Sequence, residues 1–170
     1  MPEGHRGILG FPLLLGLNTV RWAKSGTFEI GAPAQHVPPN LAYFENKLTL
    51  ATTISGRQAF FTLDSGATST DLNNNFIANF PELLTNAKTG NAIIGGAGGN
   101  TNFESLTISS LDITVAGTLL TLRPAVATRQ SNPSLGSKCC IGNFGDDLLT
   151  STGAFTLDLS RMTLLLDPAH

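Results

Sequence analysis

Short runs rich in Thr, Val, Ile, Phe and Leu recur at residues 47–54, 58–63, 103–108, 111–115, 119–122, 155–159 and 163–166, with Gly, Ser or Asn clustered between them. β-Branched and aromatic side chains suit a pleated, half-buried surface, and Gly and Asn supply the backbone conformations that reverse a chain. A sequence punctuated in this way predicts a mostly β architecture. Helical pattern appears in few places, chiefly residues 73–84, where Pro81 should interrupt it, and 146–150, so one or two short helices are expected.

The chain has 170 residues, 41% of them apolar and 13% charged, which suffices for one sizeable core plus a modest appendage. Ten Lys and Arg against twelve Asp and Glu give a net charge of -2, so no basic surface awaits a phosphate backbone and no nucleic-acid partner is expected. Intrinsic disorder is disfavoured too, because it combines low hydrophobicity with high net charge. The apolar stretch 8–17 is broken by Gly10, Pro12 and Gly16. It is shorter than the about 20 residues that cross a bilayer, so no membrane segment is expected. Arg6 precedes it in the manner of a signal peptide, yet no small-residue cleavage site follows before residues 27–30. The stretch reads as folded structure. No address is expected within these residues, and an extracytoplasmic location would call for a signal upstream of Met1.

Cys139 and Cys140 are adjacent, and a bridge between neighbours has strained geometry, so there is no disulfide framework to read. His5, His36 and His170 are far apart and lack the spacings of a zinc site. Neither a metal nor a cofactor is expected.

Pro33, Pro38 and Pro39 fall in a stretch, residues 32–40, without hydrophobic periodicity, which marks an extended linker. The segment before it is too small to sustain a core and must pack on something else. It has a counterpart near the other end of the chain. Gly7-Ile8-Leu9-Gly10, Leu14-Leu15, Thr19-Val20-Arg21-Trp22 and Gly26-Thr27-Phe28-Glu29-Ile30 follow one another as do Cys140-Ile141-Gly142, Leu148-Leu149, Ala154-Phe155-Thr156-Leu157 and Met162-Thr163-Leu164-Leu165-Leu166. Both read as two apolar residues and a Gly, a short helix, and two strands joined by a polar turn.

The stretch from Ala59 to Thr70 carries the chemistry. An apolar strand runs into Asp64-Ser65-Gly66-Ala67-Thr68, where Gly66 permits a tight turn and small residues allow close approach. An acid is thereby set at the end of a rigid strand, and the Ser65 and Thr68 hydroxyls are expected to hold it in one orientation. Taken alone, the same residues also fit a structural Asx-turn.

Asp64-Ser65-Gly66-Ala67-Thr68 after an apolar strand resembles the catalytic loop of retropepsin-like aspartic proteases. Gly95-Gly96-Ala97-Gly98-Gly99 sits where that family has its glycine-rich flap, and Cys140-Ile141-Gly142 with Leu148-Leu149 looks like its closing motif of two apolar residues and Gly before a short helix. The match covers roughly residues 44–167 in the family's order, and Cys140 replaces the usual aliphatic residue. The glycine run fits neither a Walker loop nor a dinucleotide fingerprint, since no G-K-[ST] or helix-opening G-x-G-x-x-G is present. Asn73-Asn74-Asn75 reads as a solvated connection.

The resemblance implies a retropepsin-like, closed β-barrel acid-protease fold over residues 44–170, a linker at 32–43, and a remnant of a preceding homologous domain at 1–31. It also implies an aspartic endopeptidase acting on peptide or protein substrates, with Asp64 as one catalytic carboxylate. Two carboxylates about 3 Å apart cannot both ionise, so their proton affinities split and one serves as base, the other as acid. Asp158-Leu159-Ser160 and Asp71-Leu72-Asn73 lack the turn-forming Gly, so the second carboxylate is expected from a homodimer mate or from a preceding homologous domain. The other class that the residues leave open is a non-catalytic β module that binds peptides or mediates dimerisation, with Asp64 in a structural turn.

Overall fold

The computed structural model describes residues 11–31, 37–44, 46–96, 99–129 and 139–167. Residues 7–10 of the leading repeat, residues 32–36 of the linker, Ala97 and Gly98 of the glycine run, and all three His lie outside them.

The chain begins with α1 (Phe11–Leu17), β1 (Thr19–Ala23) and β2 (Phe28–Ile30). Pro12 pre-sets the first helical turn, and Asn18, at φ 59°, ends it in the left-handed conformation that Asn tolerates. A large sheet follows, built from β3 (Leu41–Phe44), β4 (Lys47–Ile54), β5 (Arg57–Leu63), β6 (Asp71–Leu72), β7 (Lys88–Gly96), β8 (Gly99–Ile108), β9 (Leu111–Val115), β10 (Thr118–Leu122), β11 (Ala125–Arg129) and β12 (Gly142–Phe144). Between β6 and β7 lie α2 (Asn74–Asn79) and a 3-10 turn at Pro81–Leu84, split where Pro81 was expected to break the helix. The chain closes with α3 (Asp146–Leu149), β13 (Ala154–Asp158) and β14 (Thr163–Asp167).

The architecture is mostly β, and the large sheet is a curled half-barrel. Its strand order is β10-β9-β4-β5-β12-β6-β11-β8-β7, with β3 on β4. Among the described residues β7 and β10 stand at opposite ends of the sheet, and β7 pairs along its whole length with β8. Three short helices occur among the described residues: α2 and α3 at the two helical patterns, and α1 at the short helix expected in the leading repeat. The sheet also takes in Leu41–Phe44, which includes the last three residues of the expected linker, through pairs from Leu41↔Leu50 to Phe44↔Lys47. Among the described residues no helix is long and apolar enough to cross a membrane.

Inward-facing residues of the large sheet and the helices laid on it form the core. Leu50, Ile54, Phe61, Leu72, Phe76, Ile113, Phe144 and Leu149 are fully buried, and Phe61 meets Phe144 edge-on with ring centroids 5.7 Å apart.

The second sheet unites the two ends of the chain. Its order is β14-β13-β1-β2, so each hairpin contributes an inner and an outer strand. β1 lies antiparallel on β13 from Thr19↔Asp158 to Ala23↔Ala154, with Arg21 opposite Thr156. Arg21 and Thr156 are also equivalent positions of the sequence pattern, and about this pair the order β14-β13-β1-β2 places the two hairpins symmetrically. The polar turn of the second unit is held by Asp158, whose Oδ1 accepts from the Ser160 amide at 3.0 Å, the Ser160 hydroxyl at 2.6 Å and the Arg161 amide at 3.1 Å. That turn closes on a side-chain acceptor in place of a Gly.

Candidate functional site

β5 buries Ala59, Phe61 and Thr62 and then releases Asp64 at its end. The Asp64 amide donates to the Phe144 carbonyl at 3.1 Å, so the acid's backbone is tied to β12. Its Oδ1 accepts from the Gly66 amide at 3.0 Å, and its carbonyl accepts from the Ala67 amide at 3.1 Å. Asp64, Ser65, Gly66 and Thr68 are exposed and Ala67 is half-buried. Among the described residues the Ser65 and Thr68 hydroxyls make no hydrogen bond; the Gly66 amide orients the carboxylate in their stead.

Three residues of the closing motif reach this loop through β12, which threads between the strands that flank it. β12 runs parallel to β5, with Asn143 opposite Thr62, and antiparallel to β6, with Gly142 opposite Leu72 and Asn143 opposite Asp71. Ile141 donates its amide to the Phe60 carbonyl at 2.8 Å and accepts from the Asn73 amide at 2.9 Å. A β-carbon at Gly142 would lie 1.9 Å from the Asp71 carbonyl oxygen, and one at Gly145 would lie 2.6 Å from the Ser69 carbonyl carbon. Only glycine fits at these two positions, because the inserted strand and the loop touch backbone to backbone.

A latch that the sequence reading missed completes the loop. Thr70 is buried; its amide and hydroxyl donate to Asp147 Oδ1 at 2.8 and 2.7 Å, and its hydroxyl oxygen accepts from the Gly145 amide at 3.0 Å. The Asp146 amide adds a bond to the Ala67 carbonyl at 2.8 Å. The available signal was an acidic pair directly after Gly145, where a helix N-terminus favours carboxylates.

The Asn run is structural and not the solvated connection expected of it. Asn73 is buried and caps α2 by accepting from the Asn75 amide at 2.8 Å. The Asn73 and Asn75 side-chain amides both donate to the Cys140 carbonyl, at 3.0 and 2.9 Å, which ties α2 to the start of β12.

Asp64 lines a cleft of ≈ 450 Å³ together with Ser65, Thr62 and Asn143. Trp22, Phe28 and Phe155 supply an apolar wall: Trp22 lies edge-on to Phe28 at 5.5 Å and stacked near Phe155 at 6.4 Å. The cleft thus lies between the Asp64 loop and the sheet built from the two chain ends. Beside it, Asp71 accepts from the Asn143 side-chain amide at 3.1 Å. Burial pushes the Asp71 carboxyl above its ordinary value, the Asn143 hydrogen bonds pull it down, and the charges of Asp64 and Asp147 push it up further.

Gly95, Gly96 and Gly99 belong to the β7–β8 hairpin, with Gly96 opposite Gly99, and Ile93 near its end is 70% exposed. The described residues of this hairpin are not among the residues that line the cleft. Among the described residues, no group of three or more His, Cys, Asp or Glu is placed to hold a metal ion.

Comparison with known proteins finds no family model that matches the chain and no curated protein that matches it.

Proposed function

We propose that the chain carries one half of an aspartic endopeptidase centre of the retropepsin-like kind, with Asp64 as the catalytic carboxylate. The observation that carries this reading is the placement of Asp64: it ends a buried strand, takes the Gly66 amide on one oxygen, is tied by its backbone to an inserted strand, and lines a cleft with an apolar wall. A carboxylate so fixed costs little reorganisation when it takes a proton from water.

Catalysis on this reading needs a second carboxylate that shares a proton with Asp64, so that one acts as base toward the attacking water and the other as acid toward the peptide carbonyl. Asp71 does not fill that role, because it is held to Asn143 on the neighbouring strand. The pseudo-twofold sheet supports a homologous source. In one unit α3 carries the Asp147 latch to the Asp64 loop; in the other, α1 has no equivalent loop against it among the described residues. A homologous unit, in a second copy or a preceding domain, would complete the pair about the axis between Arg21 and Thr156. The substrate would be held extended, as strands are in β-augmentation, with the β7–β8 hairpin closing over it.

The test is peptidase activity on a mixed peptide library at acidic and neutral pH, with mass in solution measured alongside. Cleavage should track species that contain two Asp64-type loops and vanish with Asp64→Asn. Full activity from a strictly monomeric 170-residue chain would refute the paired mechanism, and an assembled but inert protein would favour the peptide-binding or dimerising module.

A further inference from the structure

Cys139 and Cys140 stand side by side at the start of the closing motif, where the peptidase reading takes Cys140 only as an apolar residue and uses neither thiol. Their sulfurs lie 2.7 Å apart, Cys140 is buried, and Cys139 is half-exposed. One residue of the pair is partly open to solvent, and its sulfur touches that of the other. An accessible attacking thiol in contact with a sheltered resolving thiol is the arrangement that carries disulfide exchange to completion within one chain.

We propose that Cys139 and Cys140 form a redox modification site that closes into a vicinal disulfide by exchange with a low-molecular-weight disulfide such as oxidised glutathione. The Cys139 thiol gives its proton to solvent, and the thiolate attacks one sulfur of the reagent, forming a mixed disulfide and expelling one glutathione thiolate. The Cys140 thiol then loses its proton, attacks the Cys139 sulfur and expels the second glutathione thiolate. The protein gives up two electrons and two protons, and the reagent leaves as two thiols. This step is independent of the peptidase reading.

The position gives the modification a structural consequence. Closure fixes ψ of Cys139 and φ of Cys140, directly before the carbonyl that holds the Asn73 and Asn75 side chains and before the Ile141 amide that binds Phe60. It therefore acts on the junction between α2 and β12, whose strand anchors Asp64. Consecutive Cα atoms are about 3.8 Å apart, below the spacing of ordinary disulfides, so the ring is strained and readily reduced. A reversible mark needs that property.

The experiment uses the full chain, fully reduced, titrated with oxidised glutathione, quenched in acid, alkylated with N-ethylmaleimide and weighed intact. The expected product is a monomer that has lost two hydrogens, takes up no alkylating agent, and recovers both thiols on treatment with a small dithiol. With Cys140→Ser the exchange should stop at a glutathione adduct on Cys139. A wild-type chain that ends with one or two glutathione adducts, with an intermolecular bridge, or with both thiols still alkylated at every glutathione ratio would overturn the proposal.

Discussion

Thr70 and Asp147 are joined twice, the Thr70 amide and hydroxyl both donating to Asp147 Oδ1, at 2.8 and 2.7 Å. The same hydroxyl accepts from the buried Gly145 amide, so one oxygen links the end of the Asp64 loop, the turn after β12 and the first turn of α3. Thr70→Val keeps the shape and removes the hydroxyl, leaving the Gly145 amide without that acceptor. The expected loss is about 2 kcal/mol of stability, from an unsatisfied buried donor plus a lost charge-assisted bond. Urea unfolding with an unchanged m-value would show it, and a loss below about 0.5 kcal/mol would mean that the latch contributes little.

Two glycines should respond oppositely to alanine. At Gly142 the added β-carbon meets the Asp71 carbonyl at 1.9 Å, and neither backbone can move without parting β12 from β6. Gly142→Ala should cost more than about 3 kcal/mol and yield little folded protein. At Gly16, inside α1, none of the described residues lies within 4 Å of the added carbon, so Gly16→Ala should stabilise by up to about 1 kcal/mol through helix propensity. Thermal melts of the two variants beside the parent decide both, and a soluble, parent-like Gly142→Ala would contradict the threaded strand.

The parts of this design legible in the sequence are those written in contiguous residues. Runs of Thr, Leu and Phe announced β4, β5, β9 and β10, and the Asp64-Ser65-Gly66 turn announced an acid at a strand end. β7 was not legible, because Lys88, Gly90, Asn91 and Gly95 have poor strand propensity and the strand is held by pairing with β8 alone. β11 was missed for the opposite reason: Ala125 and Ala127 are small buried residues between β6 and β8, where packing and not propensity decides. Thr70 and Asp147 lie 77 positions apart, and no local pattern pairs them. The Asn73 run looked polar and was read as solvated; its side chains in fact satisfy a carbonyl that β12 brings to them. The aromatic wall was hidden in the same way, since Trp22 and Phe155 meet only through the pairing of the two chain ends.

Asp71 gives the fold a pH signature. Its carboxyl lies above the ordinary value of 3.8, chiefly because burial disfavours the charged form. Between that value and the raised one the native chain binds more protons than the unfolded chain, so stability falls as pH rises through the window and stays at the lower level above it. Below the window both states are protonated and the contribution is constant. Asp71→Asn keeps an acceptor for the Asn143 amide and removes the titration, so the variant should gain on the parent across the window and remain more stable at neutral pH. Urea midpoints in buffers from acidic to neutral would reveal this, and parallel curves for parent and variant would exclude it.

Asp64→Asn separates the electrostatics of the loop from its chemistry. Asp64 is exposed and among the described residues its Oδ1 takes only the Gly66 amide, a bond that the Asn oxygen can keep, so stability should change by less than about 0.5 kcal/mol. Removing its negative charge should lower the proton affinity of Asp71, which that charge raises. A side-chain carboxyl titration followed by NMR would show Asp71 moving toward its ordinary value, and no movement would mean that the two carboxylates do not sense each other. That outcome holds whether or not the protein is a peptidase. In an assembly that cleaves peptides, the same substitution should cut the rate at least a thousandfold, roughly the cost of losing one member of a catalytic unit. Retained cleavage with a shifted Asp71 would leave the electrostatics intact and remove Asp64 from the reaction.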